Sequence, residues 1–259
     1  MSTTKYRKAK KNNLSIYYVN VCGPKSKLLN PDFVNEITQY DILCFTETKV
    51  DDYDEVVIPG YDIFSKNRNS VSSLRSGGIM IATKQHLSKC VQVMSNTSDC
   101  VLWIKLSSSL VNGKEIVKGT VYIPPEGSPY YNHDKFDELD NEISKHKALY
   151  EVILIGDYNA KTTNLPDFVE MDAEWIEDDI VDNKEIYDEL DDCHKFALHN
   201  VPVHRTSTDN NHPNNHGYKL LDICKYNCIY IVNGRKSPDK ERVKQHVKML
   251  AQLTMHFVQ

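Results

Sequence analysis

The stretch Glu151-Val-Ile-Leu-Ile-Gly-Asp157-Tyr-Asn159-Ala160 decides how the chain is read. Four consecutive apolar residues, Val152 to Ile155, followed by a glycine, form the pattern of a short strand buried on both faces. The pattern stops at Asp157, which leaves a carboxylate and, two positions on, the Asn159 amide at the strand end and in its outgoing loop. Strand ends are where sheets present chemistry, because the strand fixes the backbone while the loop aims the side chains.

Upstream, the residues 133–147 carry Phe136, Leu139 and Ile143 at helical spacing and predict a helix that delivers the chain to this strand. Before it, Tyr61 to Ser65, Gly78 to Ala82, Val101 to Leu106 and Ile116 to Tyr122 are rich in β-branched and aromatic residues. Turn signals separate them at Pro59-Gly60, Arg75-Ser-Gly-Gly78 and Asn112-Gly113, so this middle third reads as antiparallel strands. Its last strand ends at Tyr122 and enters a rigid Ile-Pro-Pro loop. Near the start, Leu14 to Val19 predicts a strand that ends on Asn20, a short helix begins at Pro31, and Asp41 to Thr46 predicts a buried strand that terminates in Glu47. The right-handed crossover rule would set these two strands side by side, with both polar ends on one edge of a sheet.

A chain of 259 residues with 40% hydrophobic and 26% charged residues can bury a large core, and it is read as one domain spanning 14–235. The net charge of -5 argues against a general nucleic-acid coat while leaving a local cleft open. Seven cysteines without a CxxC pair predict no disulfide framework and an intracellular, nuclear or cytoplasmic setting. No run reaches membrane-spanning length. The basic leader, residues 1–13, reads as a flexible tail.

The ordered set Val19-Asn20, Phe45-Thr-Glu47-Thr, Arg75-Ser-Gly-Gly-Ile, Gly119-Thr-Val-Tyr122-Ile-Pro-Pro and Ile155-Gly-Asp157-Tyr-Asn159-Ala resembles the endonuclease/exonuclease/phosphatase superfamily. It is most similar to the apurinic-type endonuclease domain of non-LTR, LINE-like retrotransposons. The resemblance runs on through Leu220-Leu-Asp-Ile-Cys224 and Ile231-Val-Asn-Gly-Arg235. It implies an α/β fold: a four-layer sandwich of two mixed sheets packed face to face with helices outside. It also implies Mg²⁺ or Mn²⁺ held by Glu47, and duplex DNA as partner. Asp157 would orient or deprotonate the attacking water, Asn159 would hydrogen-bond a phosphate oxygen or that aspartate, Asn20 would position the metal's waters and the phosphate, and Tyr122 would donate to a phosphate oxygen. Arg75 would neutralise substrate charge.

Oxygen donors at these strand ends suit a hard cation, which takes one or two carboxylates and keeps most of its waters. Each residue also has a plainer reading. A glutamate at a strand end is commonly a solvated cap, Asp-x-Asn is common turn chemistry, and Tyr122 could be a packed strand tyrosine. The acidic block 167–192 reads as a solvated loop and helix face that would repel DNA. His204, His212, His216, Cys224 and Cys228 are zinc-ligand types, but their spacing fits no usual zinc pattern.

The departure from the superfamily pattern lies after Arg235. Its further strands and closing Ser-Asp-His are not found in this sequence. Instead Val243, Val247, Leu250, Ala251 and Leu253 fall at helical spacing after Ser237-Pro238, which predicts a divergent helix over 236–259 and an incomplete second sheet with an open edge. Neither His246 nor His256 stands in a Ser-Asp-His context. The sequence thus expects a truncated, weak endonuclease, with a non-catalytic binding remnant and a small-molecule or lipid phosphatase as the other classes.

Overall fold

The structure is a computed structural model that describes residues 14–67, 76–95, 97–111, 113–170, 192–207, 212–235 and 247–251. Its order is β1 (Ile16–Asn20), α1 (Pro24–Leu28), α2 (Pro31–Ile37), β2 (Ile42–Thr46), β3 (Tyr61–Lys66) and β4 (Ile79–Lys84). A 3₁₀ turn (Gln85–Cys90), β5 (Val91–Val93), β6 (Val101–Leu106), β7 (Ile116–Tyr122), α3 (Lys135–Lys147) and β8 (Glu151–Asp157) follow. The last elements are α4 (Asp192–Leu198), α5 (Asn215–Asn227), β9 (Tyr230–Ile231) and β10 (Val247–Ala251).

Two mixed sheets result, a four-stranded one in the order β1-β2-β4-β3 and a six-stranded one in the order β5-β6-β7-β8-β10-β9. Strand periodicity sorts their side chains into layers. Ile42, Cys44, Ile79 and Ile81 from the first sheet meet Leu102, Ile104, Ile116 and Ile153 from the second, and this is the core between the sheets. The alternate residues Leu43, Phe45, Met80 and Ala82 pack outward with Ile37 of α2. On the far side Val101, Trp103, Val117, Val121, Val152 and Leu154 pack against Phe136, Leu139 and Ile143 of α3 and Leu220, Leu221 and Cys224 of α5. Helix, sheet, sheet and helix give the expected four layers. Within the inner layer the fully buried Lys118 reaches across to Cys44 Sγ at 2.8 Å.

The parallel pairs position the site. β1 runs parallel to β2, with Asn20 opposite Thr46, and β7 runs parallel to β8, with Tyr122 opposite Asp157. Each pair therefore ends at one edge of its sheet. Asp157 shares its strand face with Ile153 and Ile155, and Asn20 shares its face with Tyr18, all of which belong to the layer between the sheets. The two polar ends consequently look at each other across the mouth of the sandwich.

The C-terminal helix expectation needs correction. Residues 236–246 and 252–259 lie outside the described residues, but Val247–Ala251 is a strand. β10 pairs antiparallel with β8, from Val247 opposite Asp157 to Ala251 opposite Ile153, and on its other side pairs with β9. β8 is therefore not the open edge that the sequence predicts. A five-residue segment such as Val-Lys-Met-Leu-Ala does not distinguish helix from strand by periodicity, and unpaired backbone groups along a buried strand demand a partner. That demand comes from residues almost a hundred positions away and leaves no local mark.

Candidate active site

Glu47 is placed by a tight turn immediately after β2. Its carbonyl accepts from Gly23 N–H at 2.8 Å, while the N–H groups of Thr48 and Lys49 donate to the Gly78 and Gly77 carbonyls at 3.3 and 2.8 Å. Glu47 has φ +52° and Lys49 φ +52°. Left-handed backbone costs an L-residue roughly 1–2 kcal/mol, and such strain gathers where a side chain must be aimed. The Gly-Gly pair is the floor of this turn. Gly78 has φ +87°, and a Cβ there would stand 2.4 Å from Thr48 Oγ1.

Asp157 is held more deeply, at 6% exposure against 25% for the Glu47 side chain. Its backbone carbonyl accepts from Ile123 N–H at 2.9 Å, which extends the β7–β8 ladder past the last strand residue. Its Oδ1 accepts from Asn159 N–H at 3.0 Å, a local Asx turn of the kind that the plainer reading of Asp-x-Asn describes. The turn uses Oδ1, while Oδ2 faces the other sheet and accepts from Asn20 Nδ2 at 3.1 Å, so turn chemistry and presentation of the carboxylate coexist. Asn159 takes φ +47°, a region asparagine tolerates better than most residues, and its Nδ2 donates to Ile123 O at 2.8 Å.

Asn20 joins the two carboxylates. Its Nδ2 donates to Glu47 Oε1 at 2.8 Å and to Asp157 Oδ2 at 3.1 Å, while its Oδ1 accepts from Cys22 N–H at 3.2 Å. One neutral amide thus bridges two acidic groups that are 110 positions apart in the chain. Asn20, Glu47 and Asp157 come together, and Asn159 adjoins them through its backbone. Tyr122 stands at the neighbouring strand end, but it is only 8% exposed and packs in the core between the sheets. Arg75 lies outside the described residues.

Two residues at the site escape sequence reasoning. Lys49 places its ammonium 3.6 Å from Glu47 Oε2 and 2.9 Å from Cys22 Sγ. The bond to Cys22 and the charge of Glu47 push the Lys49 ammonium above its ordinary value, against the opposing effect of burial. A lysine two positions after Glu47 in an extended strand would point the same way, but positive φ at both residues removes that inference from sequence. Below them, burial first, then the Asp157, Cys44 and Glu47 charges, push the Tyr18 phenol far up, despite its hydrogen bond to Thr46 Oγ1 at 2.9 Å.

Oxygen donors from two sheets, partly open to solvent, fit a hard divalent cation better than a soft one. Glu47, the more exposed carboxylate, would hold it, with Asp157 beside it. Among the described residues no group of three or more His, Cys, Asp and Glu gathers into a metal cage. His216 is buried on α5, its Nδ1 facing Tyr158 O at 3.2 Å between the rings of Tyr131 and Phe136, and Cys224 sits in the core.

A family model described as the Endonuclease/Exonuclease/phosphatase family matches residues 18–218. No curated protein matches the chain. Among solved structures, the endonuclease domain of TRAS1, a telomere-specific non-LTR retrotransposon, is similar with a TM-score of 0.53 at 13% identity, over 92% of this chain and 83% of that one. An AP endonuclease from Leishmania major aligns with a TM-score of 0.47 at 17% identity, over 57% of this chain and 56% of that one, less than two thirds of its length. A 3′ phosphatase from Neisseria bound to product DNA hairpin aligns with a TM-score of 0.49 at 13% identity, over 93% and 87%.

Proposed function

This chain belongs to the endonuclease/exonuclease/phosphatase family, and we propose that it is a divalent-cation-dependent phosphodiesterase, a DNA endonuclease of non-LTR retrotransposon descent. The observation that carries this reading is the Asn20 amide, which ties the Glu47 and Asp157 carboxylates together at the mouth between the sheets. Two carboxylates held close by one neutral amide suit a site for a cation and a phosphate.

Asp157 orients the attacking water and takes its proton as the new P–O bond forms and the bond to the leaving oxygen breaks. Its Oδ1 is held by Asn159 N–H within the turn, and Oδ2, which faces Asn20 Nδ2 at the mouth between the sheets, is the oxygen turned toward the site. Asn20 and Asn159 hydrogen-bond phosphate oxygens, Tyr122 donates to another, and Arg75, outside the described residues, neutralises substrate charge. Glu47 holds Mg²⁺ or Mn²⁺, which when bound supplies Lewis-acid stabilisation of the charge that develops on phosphorus-bound oxygens. Lys49 lies close enough to Glu47 to exchange its contact for a backbone phosphate.

One observation favours a second, non-catalytic reading: no Ser-Asp-His occurs in the 259 residues. The test is to incubate Met1 to Gln259 with supercoiled and abasic-site duplex DNA in Mg²⁺. Slow nicking above that of Asp157→Asn supports catalysis. Nicking equal to that variant, with DNA still bound, supports the binding module instead.

A further inference from the structure

We propose that Asn214 is the positioning residue for the Asp157–Asn159 turn, acting from the N-terminus of α5. This rests on the reading of Asp157 as a site carboxylate. Asn214 is the N-cap of α5, and its Oδ1 accepts from Gly217 N–H at 2.9 Å as a cap does. The same oxygen accepts from Lys161 N–H at 2.7 Å, and Nδ2 donates to Asn159 O at 2.9 Å. Capping needs only the first of these bonds. The other two grip the site loop on both sides of Ala160.

The linkage to the carboxylate is short. Asn214 Nδ2 fixes the Asn159 carbonyl, and the Asn159 N–H fixes Asp157 Oδ1. Asn159 has φ +47°, so it needs holding from outside. Contact between loop and helix is close. The Asn214 N–H donates to Lys161 O at 3.3 Å, and a Cβ on Gly217 would stand 1.9 Å from that same oxygen. Glu126 Oε1 accepts from His216 N–H at 3.0 Å, which satisfies a second free N–H of the helix and ties in the loop after β7.

Asn214→Asp separates capping from positioning. A carboxylate keeps both acceptors, caps the helix as well as asparagine and complements its dipole, but sets an oxygen against Asn159 O in place of a donor. Amide hydrogen exchange of the full chain is measured at Asn159 and along α5, together with kcat and KM for a duplex substrate in Mg²⁺. Expected are exchange at Asn159 at least about tenfold faster, unchanged protection within α5, and kcat lower by about tenfold at a similar KM. Unchanged exchange at Asn159 would overturn the proposal, and so would faster exchange there with kcat retained. If the unsubstituted chain proves inactive, the functional reading fails on its own, and exchange at Asn159 alone decides the role of Asn214.

Discussion

Two clusters of carboxylates with nitrogen donors lie at opposite extremes of compensation. Around Asp167 every charge is answered. Arg235 donates to both carboxylate oxygens at 2.7 Å, Ile231 N–H adds a third bond, Arg205 Nε stands 3.4 Å away, and both members of the main pair are 1% exposed. The Arg235 guanidinium also lies 4.4 Å over the Phe196 ring. Burial alone would raise the Asp167 carboxyl, but the arginines hold it below its ordinary value. At the Asn20 bridge two carboxylates instead share one neutral amide, Glu47 sits on strained backbone, and the cation nearest the pair, Lys49, stands 3.6 Å from Glu47 Oε2. The first cluster is a lock that fastens the segment after β8 to the segment after β9. The second sets two carboxylates side by side at the mouth between the sheets, and the proposed cation and phosphate site rests on that pair.

The contrast predicts opposite responses to removing a charge. Arg235→Met leaves Asp167 buried without its bidentate partner and should cost about 3–5 kcal/mol in urea unfolding. A cost near zero would mean that the cluster is not a lock. The same variant should flatten the acid limb of stability. Because the folded Asp167 carboxyl is depressed, its contribution is present above the ordinary value of 3.8 and is lost as pH falls below it toward the folded value. Asn20→Ala, which removes the shared donor and leaves Asp157 Oδ2 facing Glu47, should cost about 1–3 kcal/mol, with part of that recovered on adding Mg²⁺. Glu47→Gln should change stability by no more than about 0.5 kcal/mol, and upward, since it relieves like charge. A large loss in that variant would move Glu47 into the structural class.

Much of the site was legible because its parts are strand ends. The ends of apolar runs marked Asn20, Glu47 and Asp157, and parallel pairing brings Tyr122 beside Asp157 and Asn20 beside Thr46. Tyr122 shows the limit, because a tyrosine at a strand end reads the same whether its ring packs inward or its hydroxyl serves a substrate. The strand at Val247–Ala251 was misread as helix because its identity is set by the slot between β8 and β9. Asn214 passed as one asparagine in a polar loop, and Arg235 as part of a motif, since neither partner, Asn159 nor Asp167, is near in sequence. Of the acidic block, residues 167–170 and 192 are described; Glu170 is exposed, whereas Asp167 is buried in the lock and Asp192 beneath Tyr230, whose phenol donates to it. Those two carboxylates are part of the core and not of a DNA-repelling face.

The most direct test of the account is a calorimetric Mg²⁺ titration of the full chain against its Glu47→Gln variant. The account predicts weak binding to the full chain that disappears in Glu47→Gln, with Zn²⁺ gaining nothing from His212 or His216. Mg²⁺ affinity that is the same in both proteins would contradict it, and would leave the carboxylate pair at the mouth of the sandwich without a function.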